Sequence, residues 1–391
     1  MISRNLRHLR LYLWVASTGS LTQSAEACHV SQPAVTQAIG KLESEAGGPL
    51  FDRTRQGFFV TPRGEVLANR VRRAFALLDP ALSDISPRLR LTATTAQLQG
   101  LVAVHETENF TLAARRLGLA QPTVHRAISQ LEQEAGRNLF ERTAFGLIAG
   151  RATRTLVQAV MLAFRELDQL ESDLAELDGG EAGRIVIGAL PLSRSVLLPR
   201  TLVRFRQQRP HHAVLIMDGL YDELLGGLRR GEIDMIVGAL RVPAPIGDIV
   251  QEPLFSDKLT VLAGNHHPLA GRDDVSLAEL KQCAWVVPRQ GTPARDQFDA
   301  FFAGVGQPES IIEAGSILFM REVLDNSEHL GCISSAQARA EISKGLVTEV
   351  KVKADWQARQ IGLTYRASWA PTKAQELLLS LLRESVEDET L

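Results

Sequence analysis

With 391 residues, 45% of them hydrophobic and 23% charged, the chain has the composition of an ordinary globular protein of two to four domains. No apolar run reaches the roughly 18 residues of a membrane span. The three cysteines, Cys28, Cys283 and Cys332, lie far apart with no Cys-x-x-Cys, which leaves no basis for a disulfide framework or a thiolate zinc site.

The net charge of −2 is unevenly spread. Residues 1–90 hold 12 Lys/Arg against 7 Asp/Glu (+5), residues 91–150 hold 5 of each, residues 151–178 hold 3 against 6 (−3), and the remainder holds 23 against 27 (−4). The basic charge that a polyanion would meet therefore lies in the first ninety residues.

The N-terminus, "MISRNLRHLRLYLWVASTGSL", interleaves charges with apolar residues and lacks a signal-peptide layout, which predicts a cytoplasmic protein. Leu21, Ala25 and Cys28 mark a short helix, and residues 28–31 a tight turn. Val35, Ile39, Leu42 and Ala46 follow at i, i+4, i+7, i+11, the buried stripe of a second helix. Ser31 stands at its N-cap and Pro33 in its first turn. "FDRTRQGFFVTPRG" (51–64) reads as a two-stranded wing. A helix–turn–helix with a wing lays its second helix in the DNA major groove. The start of that helix (Ser31, Gln32, Pro33, Ala34) and its polar face (Thr36, Gln37, Lys41) are the candidate base readers, glutamine suiting adenine edges. The next helix is expected to be short and to break at Pro80 and Pro87, making a joint over 79–92.

Residues 121–140 then repeat residues 32–51 at an offset of 89, with 12 of 20 positions identical; over the aligned pairs 9–57, 20 of 49 are identical. The unit is thus present twice. The second copy carries Gln121, His125, Arg126 and Gln130 on the equivalent face, with Arg126 suited to guanine. Ala120 replaces the capping Ser31, an expected loss of about 1 kcal/mol, and "GRAT" (150–153) replaces "TPRG". The charge census makes the first copy the principal reader, because phosphate contacts dominate affinity. Leu156, Val160, Ala163, Leu167, Leu170, Leu174 and Leu177 alternate 4-3-4-3-4-3, a heptad seam. Gly179, Gly180 and Gly183 mark a hinge. From 184 onward strands and helices alternate, which predicts an α/β sheet.

The segment "SLTQSAEACHVSQPAVTQAIGKLESEAGGPLFDRTRQGFFVTPRGEVL" (20–67) resembles the DNA-binding domain of LysR-type transcriptional regulators, with its Ser-Gln-Pro-Ala, Leu-Glu, Leu-Phe-x-Arg and Thr-x-x-Gly. Two such domains in one chain depart from the family pattern. The resemblance implies that Arg53 and Arg55 in the wing hold phosphates, with Arg142 the second copy's counterpart of Arg53. It also implies that the heptad helix is the linker through which chains dimerise. The second half resembles the family's effector domain, a two-lobed fold like periplasmic solute-binding proteins. "GALPLSRSVLLP", "LRRGEIDMIVGALR", "HHPLAG" and "PRQGTPARDQFDAFF" are most similar to the galactose-binding-protein-regulator branch.

The expected architecture is therefore multidomain: two tandem winged helix–turn–helix copies (1–88, with a partial linker helix, and 89–150), a linker helix (151–180), and an α/β effector domain (181–391). Lobe one of that domain spans about 184–262 with 348–391, and lobe two about 263–347. Ligands of open α/β sheets sit beyond the carboxyl ends of strands, near helix N-termini. That rule selects Ser193, Arg194, Ser195, Arg241, Arg289, Gly291, Thr292, Arg295 and Ser316, a set suited to an organic anion, a sugar or a sugar acid.

The resemblance implies double-stranded DNA, a small effector, RNA polymerase and further copies of the chain (a dimer or tetramer) as partners, with no membrane, no cofactor and no metal. An enzyme is disfavoured, because the second half has no phosphate-binding glycine fingerprint, no His-Glu-x-x-His and no nucleophile elbow. The adjacent pairs His211-His212 and His266-His267 point apart rather than at one metal. Two alternatives keep DNA binding: a redox sensor built on Cys283 and Cys332, and a regulator that responds to no ligand.

Overall fold

The computed structural model describes residues 4–144 and 146–387. They form two compact units. The first runs to Gly183 and includes Arg229–Glu232; the second holds Arg184–Leu228 and the chain from Ile233 onward.

The first unit opens with α1 (Leu6–Thr18), α2 (Leu21–Ala27), α3 (Gln32–Ala46), the hairpin β1 (Phe51–Thr54) and β2 (Gly57–Val60), and α4 (Pro62–Ile85). After the short α5 (Leu89–Thr92) the same order returns as α6 (Thr95–Thr107), α7 (Phe110–Leu117), α8 (Gln121–Ala135), β3 (Phe140–Thr143), β4 (Gly146–Ala149) and α9 (Arg151–Leu177). The hairpin registers match position for position at the offset of 89: Phe51 opposite Val60 and Thr54 opposite Gly57, then Phe140 opposite Ala149 and Thr143 opposite Gly146.

Local devices recur as well. Ser20 and Asn109 cap α2 and α7 through their side chains. Glu43 and Glu132 each accept the amide that opens the wing, from Leu50 at 3.1 Å and Leu139 at 2.8 Å. The Leu-Glu pair of the motif is therefore structural: the leucine is core and the glutamate ties helix to wing. Gly57 and Gly146 both sit at φ +136°, where a side chain would press on the carbonyls of Gly19 and Glu108.

Several expectations need correcting. Ser31 is the N-cap of α3 by position, but its hydroxyl makes no capping bond, so Ala120 forfeits none. Pro80 does not break α4, which continues to Ile85. Proline costs one ladder bond and a clash, but Ala81, Leu82 and Ile85 are buried beyond it, and their burial offsets the loss. The change from "TPRG" to "GRAT" is a rearranged tie. In the first copy Thr61 donates to the carbonyl of Pro49 and accepts from the Gly64 amide. In the second, Thr153, at the position of Gly64, donates to the Leu139 carbonyl at 2.9 Å.

The heptad seam of α9 does form a buried stripe from Leu156 to Leu174, although Leu177 is 43% exposed. Its partner is α4 of the same chain. Along α4, Leu67, Val71, Ala74, Leu78, Ala81 and Ile85 are buried at heptad spacing, and one apolar cluster runs through both copies. The helices are antiparallel, since Arg63 pairs with Asp178, Arg70 with Asp173 and Glu166, and Arg73 with Glu166. Arg70 is almost fully buried. Its guanidinium lies 2.6 Å from Asp173, 2.8 Å from Glu166 and 2.9 Å from the Gln169 side-chain oxygen. Burial works against its charge, but those two carboxylates outweigh burial and raise its pKa above that of an ordinary arginine.

Among the described residues two that are not glycine, His29 and Glu108, adopt the left-handed conformation. Glu108 adopts φ +52° at the C-cap where the first copy has Gly19 at φ +64°. A left-handed non-glycine residue costs about 1–2 kcal/mol, partly offset by glycine's larger entropy when unfolded. Glu108→Gly is therefore expected to stabilise the unit by roughly 0.5–1 kcal/mol, measured as a rise in midpoint on thermal unfolding. A fall would assign the glutamate side chain a compensating interaction.

The second unit contains two five-stranded sheets with one common plan. The first comprises β5 (Arg184–Ala189), α10 (Pro191–Ser195), α11 (Leu197–Gln208), β6 (Ala213–Met217), α12 (Tyr221–Arg230), β7 (Met235–Ala239) and β8 (Ile249–Asp257). The second comprises β9 (Leu259–Ala263), α13 (Leu277–Gln282), β10 (Ala284–Val287), α14 (Pro293–Phe301), β11 (Ile311–Glu313), α15 (Ile317–Asp325), β12 (His329–Ser334), α16 (Ser335–Ile342) and β13 (Thr348–Val350). The chain then returns to the first sheet as β14 (Arg359–Arg366) and ends in α17 (Lys373–Glu387).

The strand orders are β6-β5-β7-β14-β8 and β11-β10-β12-β9-β13. In each, three strands are parallel, and the fourth, which entered from the other lobe, is antiparallel. The lobes are joined by two crossings, at Asp257–Leu259 and between Val350 and Arg359. The sequence-based boundaries therefore shift: β9 and β13, assigned to lobe one, hydrogen-bond in the sheet of lobe two. An apolar run looks the same in either sheet, and only pairing decides. The helical segment after β5 is divided at Val196 into α10 and α11.

Candidate nucleic-acid interface and effector site

The amphipathic division of α3 is sharp. Val35, Ala38, Ile39 and Leu42 are buried, whereas Ser31, Gln32, Pro33, Ala34, Thr36, Gln37 and Lys41 are exposed. The Thr36 hydroxyl donates back to the Gln32 carbonyl at 3.1 Å, which leaves its methyl outward. Lys41 lies 3.8 Å from Glu45, a loose exposed pair of the kind worth little. In the wing, Arg53 is held 2.9 Å from Glu43 and lies over the Phe58 ring, while Arg55 is exposed in the turn between β1 and β2. The Glu43 carboxylate that ties the wing to α3 thus also aims the first wing arginine.

The counterpart face of α8 is equally bare. Gln121, His125, Arg126 and Gln130 are exposed opposite buried Val124, Ile128 and Leu131. The His125 ring packs on Phe110, centroids 5.0 Å apart, and its Nδ1 lies 3.4 Å from the Ser129 hydroxyl. Arg142 is exposed in β3, on the second wing.

In the second unit, the residues selected from the sequence divide into three groups. Some meet at the lobe junction. Ser195 of lobe one accepts a hydrogen bond from Gln337 of lobe two at 3.0 Å, and Pro191 lies beside Gly315, next to Ser316. Arg241 sits over the Tyr221 ring at 4.1 Å; burial lowers its pKa, against the pull of Tyr221, Asp222 and Asp296, the last of them in lobe two. Ser316 and Thr292 cap α15 and α14, accepting from the amides of Phe319 and Arg295. A second group faces solvent: Arg289, Gly291 at φ +75°, and Arg194, which pairs with Asp218 at 3.0 Å.

A third group is committed internally. Ser193 is fully buried, its hydroxyl 2.8 Å and 2.9 Å from the carbonyls of Leu190 and Val237. Arg295 is buried between Asp299 at 2.7 Å and Glu313 at 2.6 Å. These two support the walls of the junction.

The junction also holds residues that the sequence reading passed over. Asp257, at the first crossing, is buried, 2.7 Å from Arg359 at the second crossing. Its other oxygen accepts from the Ser335 hydroxyl and the Ala336 amide, both at 3.1 Å, at the N-terminus of α16. One carboxylate therefore fastens both crossing strands to a lobe-two helix, where the helix dipole favours a negative charge. The run Ser334-Ser335 after β12 was the available signal for that helix start.

The cysteines are not arranged as a redox pair. Ala284 is level with His329 in the sheet, so Cys283 is level with Glu328, and Cys332 lies four residues further along, about 13 Å away, beyond the span of a disulfide. Burial pushes the Cys332 thiol up to about 12 and also raises Cys283, whose neighbours Glu279 and Glu328 add to the shift. His267 is a structural residue, with one ring nitrogen 3.2 Å from the Glu328 carbonyl and the other accepting from the Leu269 amide. Among the described residues no cluster of His, Cys, Asp or Glu is arranged to hold a metal, and no helix is long and apolar enough to cross a membrane.

Comparison with known proteins agrees with this geometry. The model of the bacterial regulatory helix-turn-helix protein, lysR family, matches residues 6–65 and again 95–152, and that of the LysR substrate binding domain matches residues 178–387. The chain is 35% identical over 390 residues to the HTH-type transcriptional regulator GalR of Pseudomonas putida, covering 98% of each chain. It is 27% identical over 294 residues to the HTH-type transcriptional regulator PcaQ of Agrobacterium fabrum, covering 74% of this chain and 93% of that one. Among solved structures it is similar to a full-length OxyR variant from Pseudomonas aeruginosa, with a TM-score of 0.53, 22% identity, and 74% and 97% of the two chains covered. It is also similar to CbnR, a LysR family transcriptional regulator, with a TM-score of 0.51, 20% identity, and 74% and 98% covered. At these identities the structural likeness speaks for the fold alone.

Proposed function

The chain belongs to the LysR family of transcriptional regulators, and from that premise we propose that it binds its operator through two winged helix–turn–helix domains, one per copy, in response to a small molecule taken up between the lobes. The observation that carries this reading is the bare polar face of α3. Seven adjoining side chains, Ser31 to Lys41, stay out of a core that absorbs every apolar residue on the opposite side. Gln32 and Gln37 suit adenine edges, Thr36 offers a methyl to thymine, and Lys41, Arg53 and Arg55 supply positive charge for phosphates. In the second domain Gln121, His125 and Arg126 take the reading positions, with Arg142 on the wing.

Ser195, Arg241, Ser316 and the amides that open α14 and α15 favour an effector with a carboxylate or several hydroxyls over an apolar one. Arg194, Arg289, Gly291 and Thr292 belong to the rim of that site, with Ser193 and Arg295 bracing its walls. The effector changes transcription by binding one lobe geometry more tightly than another. Chains associate as a dimer or tetramer. The outer edge of β6 is unpaired within its sheet, and the strand exposes Leu215, Ile216 and Met217, the kind of edge that is normally covered. RNA polymerase is the partner the family reading implies, and the cytoplasm the location.

Footprinting of the purified chain on its own upstream DNA, with and without sugars and small organic acids, tests the proposal. Protection that changes with one such compound is expected; indifference to all DNA at low salt would refute it. At equal salt, Arg53→Ala is expected to weaken binding more than Arg142→Ala. Removal of one phosphate-binding cation should flatten the slope of log affinity against log salt by about 1. Equal losses would remove the ranking of the two copies.

A further inference from the structure

We infer that a single chain is a complete two-half-site DNA reader, and that the two half-motifs it reads differ in sequence. The inference rests on the proposal that α3 and α8 both contact DNA. It begins with the linker helices. The heptad seam on α9 asks for a partner helix, and α4 supplies it from within the chain, antiparallel and packed along almost its whole length. Each winged unit is joined to the N-terminus of its own linker helix. Antiparallel pairing therefore sets the two units at opposite ends of the pair, related by an approximate two-fold axis. With 24 and 27 residues, the helices are about 36 and 40 Å long, close to the roughly 34–36 Å between successive major-groove faces of a duplex. A dimeric reader meets DNA with this same geometry, here reached by one polypeptide.

The charges on the seam show why these two helices choose each other. α4 contributes Arg63, Arg70 and Arg73, and α9 contributes Glu166, Asp173 and Asp178. At the offset of 89, α9 has Ala152, Ala159 and Leu162 where α4 has Arg63, Arg70 and Arg73, so two α9 helices paired in this register would leave Glu166 and Asp173 buried without a cation. The mixed pair supplies those cations, so the charges on the seam favour it over two α9 helices.

The two reading faces are not equivalent. At matching positions α3 has Thr36, Gln37 and Lys41, where α8 has His125, Arg126 and Gln130. Glutamine pairs with adenine, and arginine with the O6 and N7 of guanine. The half-motif under α8 should contain a guanine where the one under α3 contains an adenine.

The experiment is a selection from a random-sequence duplex library with the full chain, followed by native mass spectrometry of the selected complex. The expected result is two different half-motifs, centred about 10 base pairs or a multiple apart, with one chain per pair of half-motifs. Arg126→Ala should erase the guanine preference in one half-motif only, and Gln37→Ala should alter only the other. Identical inverted half-motifs, two chains per pair, or an Arg126→Ala variant with an unchanged motif would overturn the inference while leaving the regulator reading intact. No enrichment at all would overturn both.

Discussion

Arg70→Ala is expected to cost the first unit about 3–5 kcal/mol, the usual penalty for removing one partner of a buried ion pair. Arg70 and Glu166 are both nearly inaccessible, and Asp173 is mostly covered. The truncation leaves two carboxylates in a low-dielectric seam, with Arg73 still beside Glu166. For a unit of this size the loss corresponds to a fall of roughly 6–20 °C in midpoint, read by calorimetry or circular dichroism. Replacing Arg70, Glu166 and Asp173 together by leucine or methionine should restore most of the stability, because apolar residues of similar volume usually match a buried ionic cluster. The triple variant should lose selectivity for the mixed helix pair, visible as concentration-dependent association of the first unit. An unchanged midpoint in Arg70→Ala would mean that water reaches the seam.

The second large effect is expected at the lobe junction. Asp257→Ala strands Arg359, only about a tenth exposed, and removes the acceptor for the Ser335 hydroxyl and Ala336 amide. A cost of about 3–5 kcal/mol follows for the second unit. Asp257→Asn keeps an acceptor for the helix amide and should lose less. Because the two units need not unfold as one, calorimetry should resolve the effect: the transition of the second unit moves and that of the first stays. A uniform shift of both would tie the units into one cooperative block.

The sequence was most legible where a pattern was dense and local. The stripe Val35, Ile39, Leu42, Ala46 and the polar face between its members were readable because burial in a helix follows a fixed period. The repeat made the return of three helices and a hairpin at an offset of 89 readable at once. Where stability came from distant partners, reading failed. α4 looked broken at Pro80, because propensity counts the lost ladder bond and cannot see the apolar residues packed beyond it. Its heptad seam and arginines gained meaning only when α9 lay against them. The lobe assignment of β9 and β13 was illegible for the same reason, since the hydrogen-bonded neighbour of a strand is not written in the strand. At the effector site, Ser193 and Arg295 had the right chemistry and position after a strand or at a helix start, but their side chains turned inward. Asp257 was hidden in β8, a strand the hydrophobic pattern did not announce.

The charged seam between α4 and α9 has one more consequence. A symmetrical reader lies on the duplex the same way round whichever end it is approached from. Here the arginine-bearing helix and the carboxylate-bearing helix cannot exchange roles, so the molecule has a fixed left and right. Laid on two unlike half-motifs, it would point along the double helix as an arrow does, and the gene at its tip would be told apart from the gene at its tail.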